Sequence, residues 1–513
     1  MEQKIGNNNL PINWSVCNLD DILLKISNGA NVTQFDEIVG YPISRIETIW
    51  NQGIDLDRVK YILEDDFDFV EKYSLHYGDI LFSHINSDAH LGKTGVFKNQ
   101  VKTLIHGINI LLIRPACQIN SDFLNFQFNH LRTKGGFVDI AQRSVNQSSV
   151  NQRKLKSLQI IVPPQAEQHR IVSKIEELFS ELDKGIESIK TARAQLKVYR
   201  QAILKDAFEG KLTAVWREQN KEKLETAATL QQLIQTERAA RYQQQLTDWQ
   251  ANGQEGCKPK VPKLLPPLTS EELAELPLMP KGWTWARLGN VFADSPKNGI
   301  YKSADFYGEG TSIVRIDDFY DGLLSKTSGF KKVKLSENEI NTFSANLGDL
   351  LINRVNSIEY LGKCCEIKGI EESLVFESNI MKIKLSDNLV NNFYTTTYLA
   401  SSFGRKRLCA NAKHAVNQAS INQNDVSLTP IPMSVLSEQK VISELLDAKL
   451  SEIDKLNQTI NTALIQSEVL RQSILKKAFS GALVAQDSND EPASELLTRI
   501  KIEQLRNKIR VKS

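Results

Sequence analysis

The chain is written twice, and that repeat limits its possible folds more than any other feature. Leu10-Pro-Ile-Asn-Trp14 followed by Leu19 returns as Met279-Pro-Lys-Gly-Trp283 followed by Leu288. Gly78-Asp-Ile-Leu81 returns as Gly348-Asp-Leu-Leu351, and Asn86-Ser87 with Gly92-Lys93 returns as Asn356-Ser357 with Gly362-Lys363. Val145-Asn-Gln147 with Asn151-Gln152 becomes Val416-Asn-Gln418 with Asn422-Gln423. Arg200-Gln-Ala-Ile-Leu-Lys205 with Ala207, Phe208 and Gly210 becomes Arg471-Gln-Ser-Ile-Leu-Lys476 with Ala478, Phe479 and Gly481. Across all these anchors the register drifts by no more than two residues, which chance matches would not do. The chain therefore holds two copies of one large unit. Its 513 residues exceed the roughly 250–300 at which a single core stops growing, as such a duplication requires.

Each copy has a mixed part and then a helical part. Apolar runs such as 80–85, 108–113 and 380–385 are bounded by Gly, Asn and Pro and read as strands, interrupted by helical stretches near 122–131 and 392–401. Pro163-Pro164 and Pro430 with Pro432 close the mixed parts. Glu167-Gln168 and Glu438-Gln439 then open long patterns that lack Gly and Pro except for Gly185. Apolar residues in the first helix (Ile171, Ile175, Leu178, Leu182, Ile186, Ile189, Leu196, Tyr199, Ile203) step by three and four with one skipped turn. Ile442, Leu446, Leu450, Ile453, Leu456, Ile460, Leu464, Leu470 and Ile474 do the same in the second. So narrow a seam on so long a helix predicts a coiled-coil partner, and each helix has one obvious partner in the other.

The resulting division is a mixed domain over 10–163, a helix over 164–212, a linker over 213–278, a second mixed domain over 279–432, a second helix over 433–483 and a tail over 484–513. The fold class is α/β (mixed α+β), with the two mixed domains separated by two long antiparallel coiled-coil helices in a pseudo-two-fold internal repeat. The stretch 213–278 carries a Gln-rich helical pattern near 224–245 and a Pro-rich segment from 257 to 267. Part of it also recurs: Glu225-Thr-Ala-Ala with Leu230, Ile234 and Glu237 resembles Glu491-Pro-Ala-Ser with Leu496, Ile500 and Glu503.

Composition excludes several classes. No apolar run approaches the roughly 20 residues a bilayer span needs. Sixty-three basic against 61 acidic residues give a net charge of +2, so binding to nucleic acid must use local basic faces. The opening MEQKIGNNNL lacks the basic flank and apolar core of a secretory signal, and a cytoplasmic location is expected. The six cysteines are scattered and form no framework or zinc spacing.

With these motifs in view, the chain resembles the specificity subunit of a type I restriction-modification system. The resemblance rests on the Leu-Pro-x-x-Trp opening, the Gly-Asp-hydrophobic-Leu strand, the Asn-Gln segment, the Pro-then-Glu-Gln helix start and the Arg-Gln-x-Ile-Leu-Lys-x-Ala-Phe-x-Gly ending, each present twice; the second opening departs by reading Met279-Pro. It implies that each mixed domain is a target recognition domain reading one half of a split double-stranded DNA sequence. The helices would space these domains and bind two methyltransferase (modification) subunits, with restriction/translocase subunits as further partners. The chain itself would hold no cofactor and catalyse nothing, S-adenosylmethionine, ATP and Mg²⁺ belonging to the partner subunits. Independently of the resemblance, antiparallel packing of two tandem units generates a two-fold like that of duplex DNA, which suits two modules entering major grooves about 34 Å apart.

Catalytic constellations are otherwise wanting. Gly92-Lys-Thr94 ends like a phosphate loop, but position 87, where the earlier glycine belongs, is Ser87, and the second copy reads Gly362-Lys-Cys364. Asp349 with Glu366 and Lys368 has the composition of a metal-dependent nuclease and is the alternative reading, although the first copy offers only Asp79 with Val96-Phe-Lys98. No H-E-x-x-H pair occurs among seven histidines. DNA contact calls for basic groups on phosphates and Arg, Lys, Asn, Gln or Ser on base edges. Arg143 with Asn146, Gln147 and Ser148 in copy one, and Arg405, Lys406, Arg407 and Lys413 with Asn417 and Gln418 in copy two, are candidates, their Asn-Gln match serving either readout or the shared fold. Lys93 and Lys363 of the repeated Gly-Lys pair join them. The copies differ at Ser83-His84 against Asn353-Arg354, making His84 and Arg354 candidates for reading different bases.

Overall fold

The computed structural model describes residues 10–99, 103–144, 147–254, 258–261, 264–320 and 322–510. The chain divides into two units, one made of residues 1–191 with 460–513 and the other of residues 192–459. The long helices Gln165–Phe208 and Leu436–Ala478 each contribute one stretch to each unit.

In the first unit, a six-stranded sheet places Leu23–Asn28, Ile110–Pro115, Ile80–Ser83, Thr94–Val96, Gly53–Ile54 and Ile49–Trp50 side by side in that order. Ile80–Ser83 is buried on both faces, which explains its unbroken apolar run. The repeated Gly-Asp before it is structural: Asp79, itself buried, receives two 2.7 Å hydrogen bonds from Arg114 and one from the His76 backbone. The helix Ser121–Thr133 is capped by Asn120, whose side chain accepts from the Asp122 and Phe123 amides. The first and last strands, Ser15–Asn18 and Gln159–Val162, pair antiparallel and tie the ends of the mixed domain together.

The second unit repeats this plan with its own details. Leu350–Asn353 lies between Ile380–Ile383 and Cys364–Glu366, Thr284–Arg287 pairs with Pro430–Met433, and Asn391 caps the helix Asn392–Ala400. A separate sheet orders Lys331–Val333, Tyr307–Val314, Leu374–Phe376 and Ser344–Ala345. Asp349 accepts from the Asn346 amide and from Lys382 at 3.2 Å.

Within each unit the two helical stretches run antiparallel. Arg471 meets Asp183 in the first unit and Arg200 meets Asp454 at 3.1 Å in the second; Arg200 and Arg471, like Asp183 and Asp454, are repeat equivalents, so the contact is made reciprocally. Ile171, Ile175 and Ile474 are buried in the first unit, and Ile203, Ile442, Leu446 and Ile453 in the second. The seam expected from periodicity departs from the structure at Tyr199, Leu456 and Leu470, which are exposed, because a two-helix seam covers only one narrow stripe of each helix.

Each long helix starts with a buried Glu-Gln that closes its unit. The Trp14 indole donates to Glu167 at 2.8 Å and the Trp283 indole to Glu438 at 2.9 Å. The neighbouring Gln168 accepts from the Asn120 amide and donates to the Pro163 carbonyl; Gln439 accepts from the Asn391 amide and donates to the Ser434 carbonyl. The second oxygen of each glutamate is taken by the segment that follows the other copy's helix. Gln486 donates to Glu167 at 2.5 Å, while Thr213 and Arg217 donate to Glu438 at 2.7 and 2.6 Å. Gly481 and Gly210 turn there with φ of +74° and +73°, and a Cβ would strike Pro11 or Pro280, so both positions require glycine.

The stretch read as a linker differs from that expectation. Its helix Ala227–Ala251 buries Leu230 and Ile234 against the second unit, and the tail helix Ala493–Arg510 buries Ala493, Leu496 and Ile500 against the first. Equivalent side chains make equivalent bonds: Gln504 donates to the Asp20 carbonyl and Arg238 to the Gly289 carbonyl, while Glu503 accepts from Gln118 and Glu237 from Asn388. The polar faces hid this docking from the sequence, because two or three buried residues per helix suffice when side-chain bonds to backbone fix the rest.

Two outcomes follow. Trp283→Phe removes a donor from a buried carboxylate and is expected to cost about 1–3 kcal/mol in urea unfolding of the full chain, whereas Leu278→Ala, on a fully solvated side chain, leaves the midpoint in place. In the first unit, burial, then Lys134 and Lys476, holds the His130 imidazole down to about 4, and burial likewise lowers His84 and His106. Folding therefore disfavours the charged imidazoles, and the stability present above about pH 6.5 is lost as pH falls towards 4. Hydrogen exchange at pH 7 and pH 5 should show the first unit loosening before the second, with His130→Gln reducing the difference.

Candidate nucleic-acid interface

Each unit carries the same small three-stranded sheet. Gln142–Ser144, Gln147–Ser149 and Ile85–Asn86 lie in that order in the first; Lys413–Ala415, Gln418–Ser420 and Val355–Asn356 do so in the second. In each, the first two strands named form a hairpin whose first strand is an exposed edge. In the second unit the turn is Val416-Asn417, with Val416 92% exposed and Asn417 at φ +63°, a left-handed conformation asparagine tolerates. A two-stranded ribbon of this kind fits a major groove about 12 Å wide.

Beside each hairpin runs a loop of fixed shape. Ser87 and Ser357 accept through their carbonyls from the amides three and four residues on, and Gly92 and Gly362, at φ +72° and +73°, donate back to the carbonyls of Ser83 and Asn353. A Cβ at Gly92 would lie 2.3 Å from Phe137, and one at Gly362 would lie 2.5 Å from the Cys409 sulfur. The repeated Gly-Lys is thus a tight turn against the core, which accounts for the motif without a phosphate loop. Lys93 is half-buried, with its ammonium lowered by burial and by Arg132. Lys363 lies 3.9 Å from the Tyr320 ring centre and 4.2 Å from that of Tyr360.

The structure brings together some candidates and spends others on the fold. Arg143 and Gln147 project from the first hairpin, and Lys413, Asn417 and Gln418 from the second. Ser148 is buried and donates to Asp88 at 2.5 Å; Arg143 reaches the same carboxylate at 3.7 Å. Asn146 lies outside the described residues. His84 and Arg354 sit where the central strand crosses into the hairpin sheet, both half-buried. Arg354 donates to the Ser378 carbonyl at 3.0 Å, and the neighbouring Ser83 and Asn353 are inaccessible, so this part of the divergence lies inside the domain. Arg405 braces the loop through the Glu359 carbonyl at 2.6 Å. Lys406 is exposed, but Arg407 points to Tyr398 and stacks over Trp285 at 5.3 Å, away from the loop. The structure adds Asp88, Tyr320 and Tyr360 to the candidates; aligning the two loops position by position picks out Asp88 against Ile358 and His90 against Tyr360.

The nuclease alternative finds no support in the same geometry. Asp349 is buried and paired with Lys382, Glu366 is paired with Lys368 at 2.8 Å, and no cluster of His, Cys, Asp or Glu fit to hold a metal occurs among the described residues. No helix among them is long and apolar enough to cross a membrane.

Comparison with known proteins agrees with the duplicated fold. The chain is 28% identical over 488 residues to the putative type I restriction enzyme MjaX specificity subunit of Methanocaldococcus jannaschii, covering 92% of this chain and 94% of that one. It is 23% identical to the type I restriction enzyme EcoKI specificity subunit of Escherichia coli strain K12, covering 81% and 71%. A chain solved in work on complex assembly and conformational transition of the type I R-M system superposes with a TM-score of 0.63 at 17% identity, covering 92% and 99%, and shares the fold. The family model of the type I restriction modification DNA specificity domain matches residues 11–192 and again 280–466, once for each copy of the repeat, and the chain belongs to that family.

Proposed function

We propose that the chain is the DNA sequence-recognition subunit of a type I restriction-modification complex, in which each mixed domain lays its hairpin and adjoining loop in a groove and reads one half of a bipartite target. The observation that carries this is the pairing of one backbone plan with two sets of exposed side chains. Strand order, turn glycines and loop hydrogen bonds repeat, while Arg143, Asp88 and His90 give way to His414, Ile358 and Tyr360. Shared backbone supplies a common approach to DNA, and divergent side chains supply different base preferences.

The long helices serve as spacer and docking surface. At about 1.5 Å per residue a helix of 44 residues is roughly 66 Å long. Val198 and Tyr199 in one unit, and their equivalents Val469 and Leu470 in the other, are exposed apolar pairs. A surface repeated in both copies suits two copies of one partner, here the methyltransferase subunit. Catalysis, with S-adenosylmethionine, ATP and Mg²⁺, then lies with partner methyltransferase and restriction subunits in the cytoplasm.

Mapping methylated adenines in cells expressing this chain with its methyltransferase tests the reading. Exchanging residues 10–163 for the corresponding domain of a relative is expected to change one half of the methylated sequence and leave the other; a change in both halves would contradict independent reading. Adding four residues at the midpoint of each long helix, about 6 Å of rise, should alter the unread spacer and neither half. Tyr199→Asp with Leu470→Asp should abolish co-purification of methyltransferase while each single change weakens it.

A further inference from the structure

Three neighbouring positions of the recognition surface differ together between the units. In the first, Asp88 of the loop accepts from Ser148 of the inner hairpin strand at 2.5 Å and forms an ion pair with Arg143 of the edge strand at 3.7 Å. Arg143 and Ser148 are themselves cross-strand partners. In the second unit the equivalents are Ile358, Ala419 and His414, with His414 and Ala419 cross-strand partners in the same way. Carboxylate, its hydroxyl anchor and its guanidinium have all been replaced, although the backbone around them has not changed.

The chemistry of the trio is specific. A buried serine hydroxyl fixes the orientation of a carboxylate whose side chain is 51% exposed, and that carboxylate restrains a guanidinium that is 68% exposed. So exposed an ion pair adds little to folding, so its effect lies in orientation. Asp88 sets a negative charge beside Arg143, which disfavours a phosphate at that guanidinium. It leaves the outer donors of the planar guanidinium facing solvent from a hairpin edge, the fork that matches the O6 and N7 acceptors of guanine. At the equivalent place Ile358 is 53% exposed and offers only apolar surface.

Resting on the reading that the hairpins enter DNA, we propose that Asp88 is a specificity-positioning residue: anchored by Ser148, it holds Arg143 for bidentate contact with a guanine in the half-site read by the first unit. The second unit, lacking all three groups, reads no guanine at the corresponding position.

The test is adenine-methylation mapping on a library with randomised half-sites, using the full chain with its methyltransferase. Asp88→Ala is expected to loosen discrimination at one G·C pair of one half-site by about fivefold or more, leaving the other half-site unchanged. Arg143→Ala should loosen the same pair, the double variant should be no looser than either single one, and Asp88→Glu should restore the preference. Unchanged discrimination in Asp88→Ala would overturn the proposal, as would a uniform loss across all sequences, the mark of a phosphate contact. A wild-type chain that directs methylation to no bipartite sequence would overturn the underlying reading itself, and this proposal with it.

Discussion

The buried indole-to-glutamate bond at the start of each long helix is the constraint on which the two units depend. Burying a carboxylate is costly unless its oxygens are filled, and here three segments distant in sequence must meet to fill them. The Trp at the start of the mixed domain supplies one donor, and the segment past the end of the other copy's helix supplies the rest. The glutamate sits in the first helical turn, where the helix dipole favours negative charge, and the adjacent Gln pins the backbone at the cap of the domain's internal helix. A two-residue motif thereby joins mixed domain, helix start and helix end at one point.

The two closures are not equivalent in electrostatics. Glu438 has a cationic partner in Arg217 at 2.6 Å. Among the described residues Glu167 has only the Trp14 indole and the Gln486 amide as direct partners, and burial raises its carboxyl above the usual range against their pull. Arg170 compensates from one turn along the helix by pairing with Asp490 at 2.5 Å, which fastens the same tail segment by a second bond. The same junction is thus built with a direct ion pair in one unit and a displaced one in the other, evidence that what is retained is the filling of the carboxylate and not a particular donor.

Legibility in the sequence followed periodicity and repetition. The duplication, the mixed domains and the long helices were readable because apolar spacing and punctuation by Gly and Pro are local signals. What escaped were roles that depend on a distant partner. The 213–278 stretch reads as polar, yet Leu230 and Ile234 are buried, and only a docking surface supplied by another segment makes so sparse a stripe meaningful. Asp349 looked like chemistry because nothing local reveals that Lys382 lies across from it. Arg354 is divergent between the copies, but its guanidinium donates to the Ser378 carbonyl, which the sequence does not place nearby.

The repeat itself separates structure from readout. Where two copies keep a residue, the fold gives it work: Asp79 and Asp349 both lock the central strand, Gly92 and Gly362 both make turns too close for a side chain, and Trp14 and Trp283 both satisfy a glutamate. Where the copies part on an exposed hairpin or loop, the backbone stays fixed and only side-chain chemistry changes. A protein that must present new base preferences without losing its fold needs that partition, because a substitution on a solvated edge strand changes folding free energy little, whereas the same freedom at the closing glutamates would leave a buried charge unfilled.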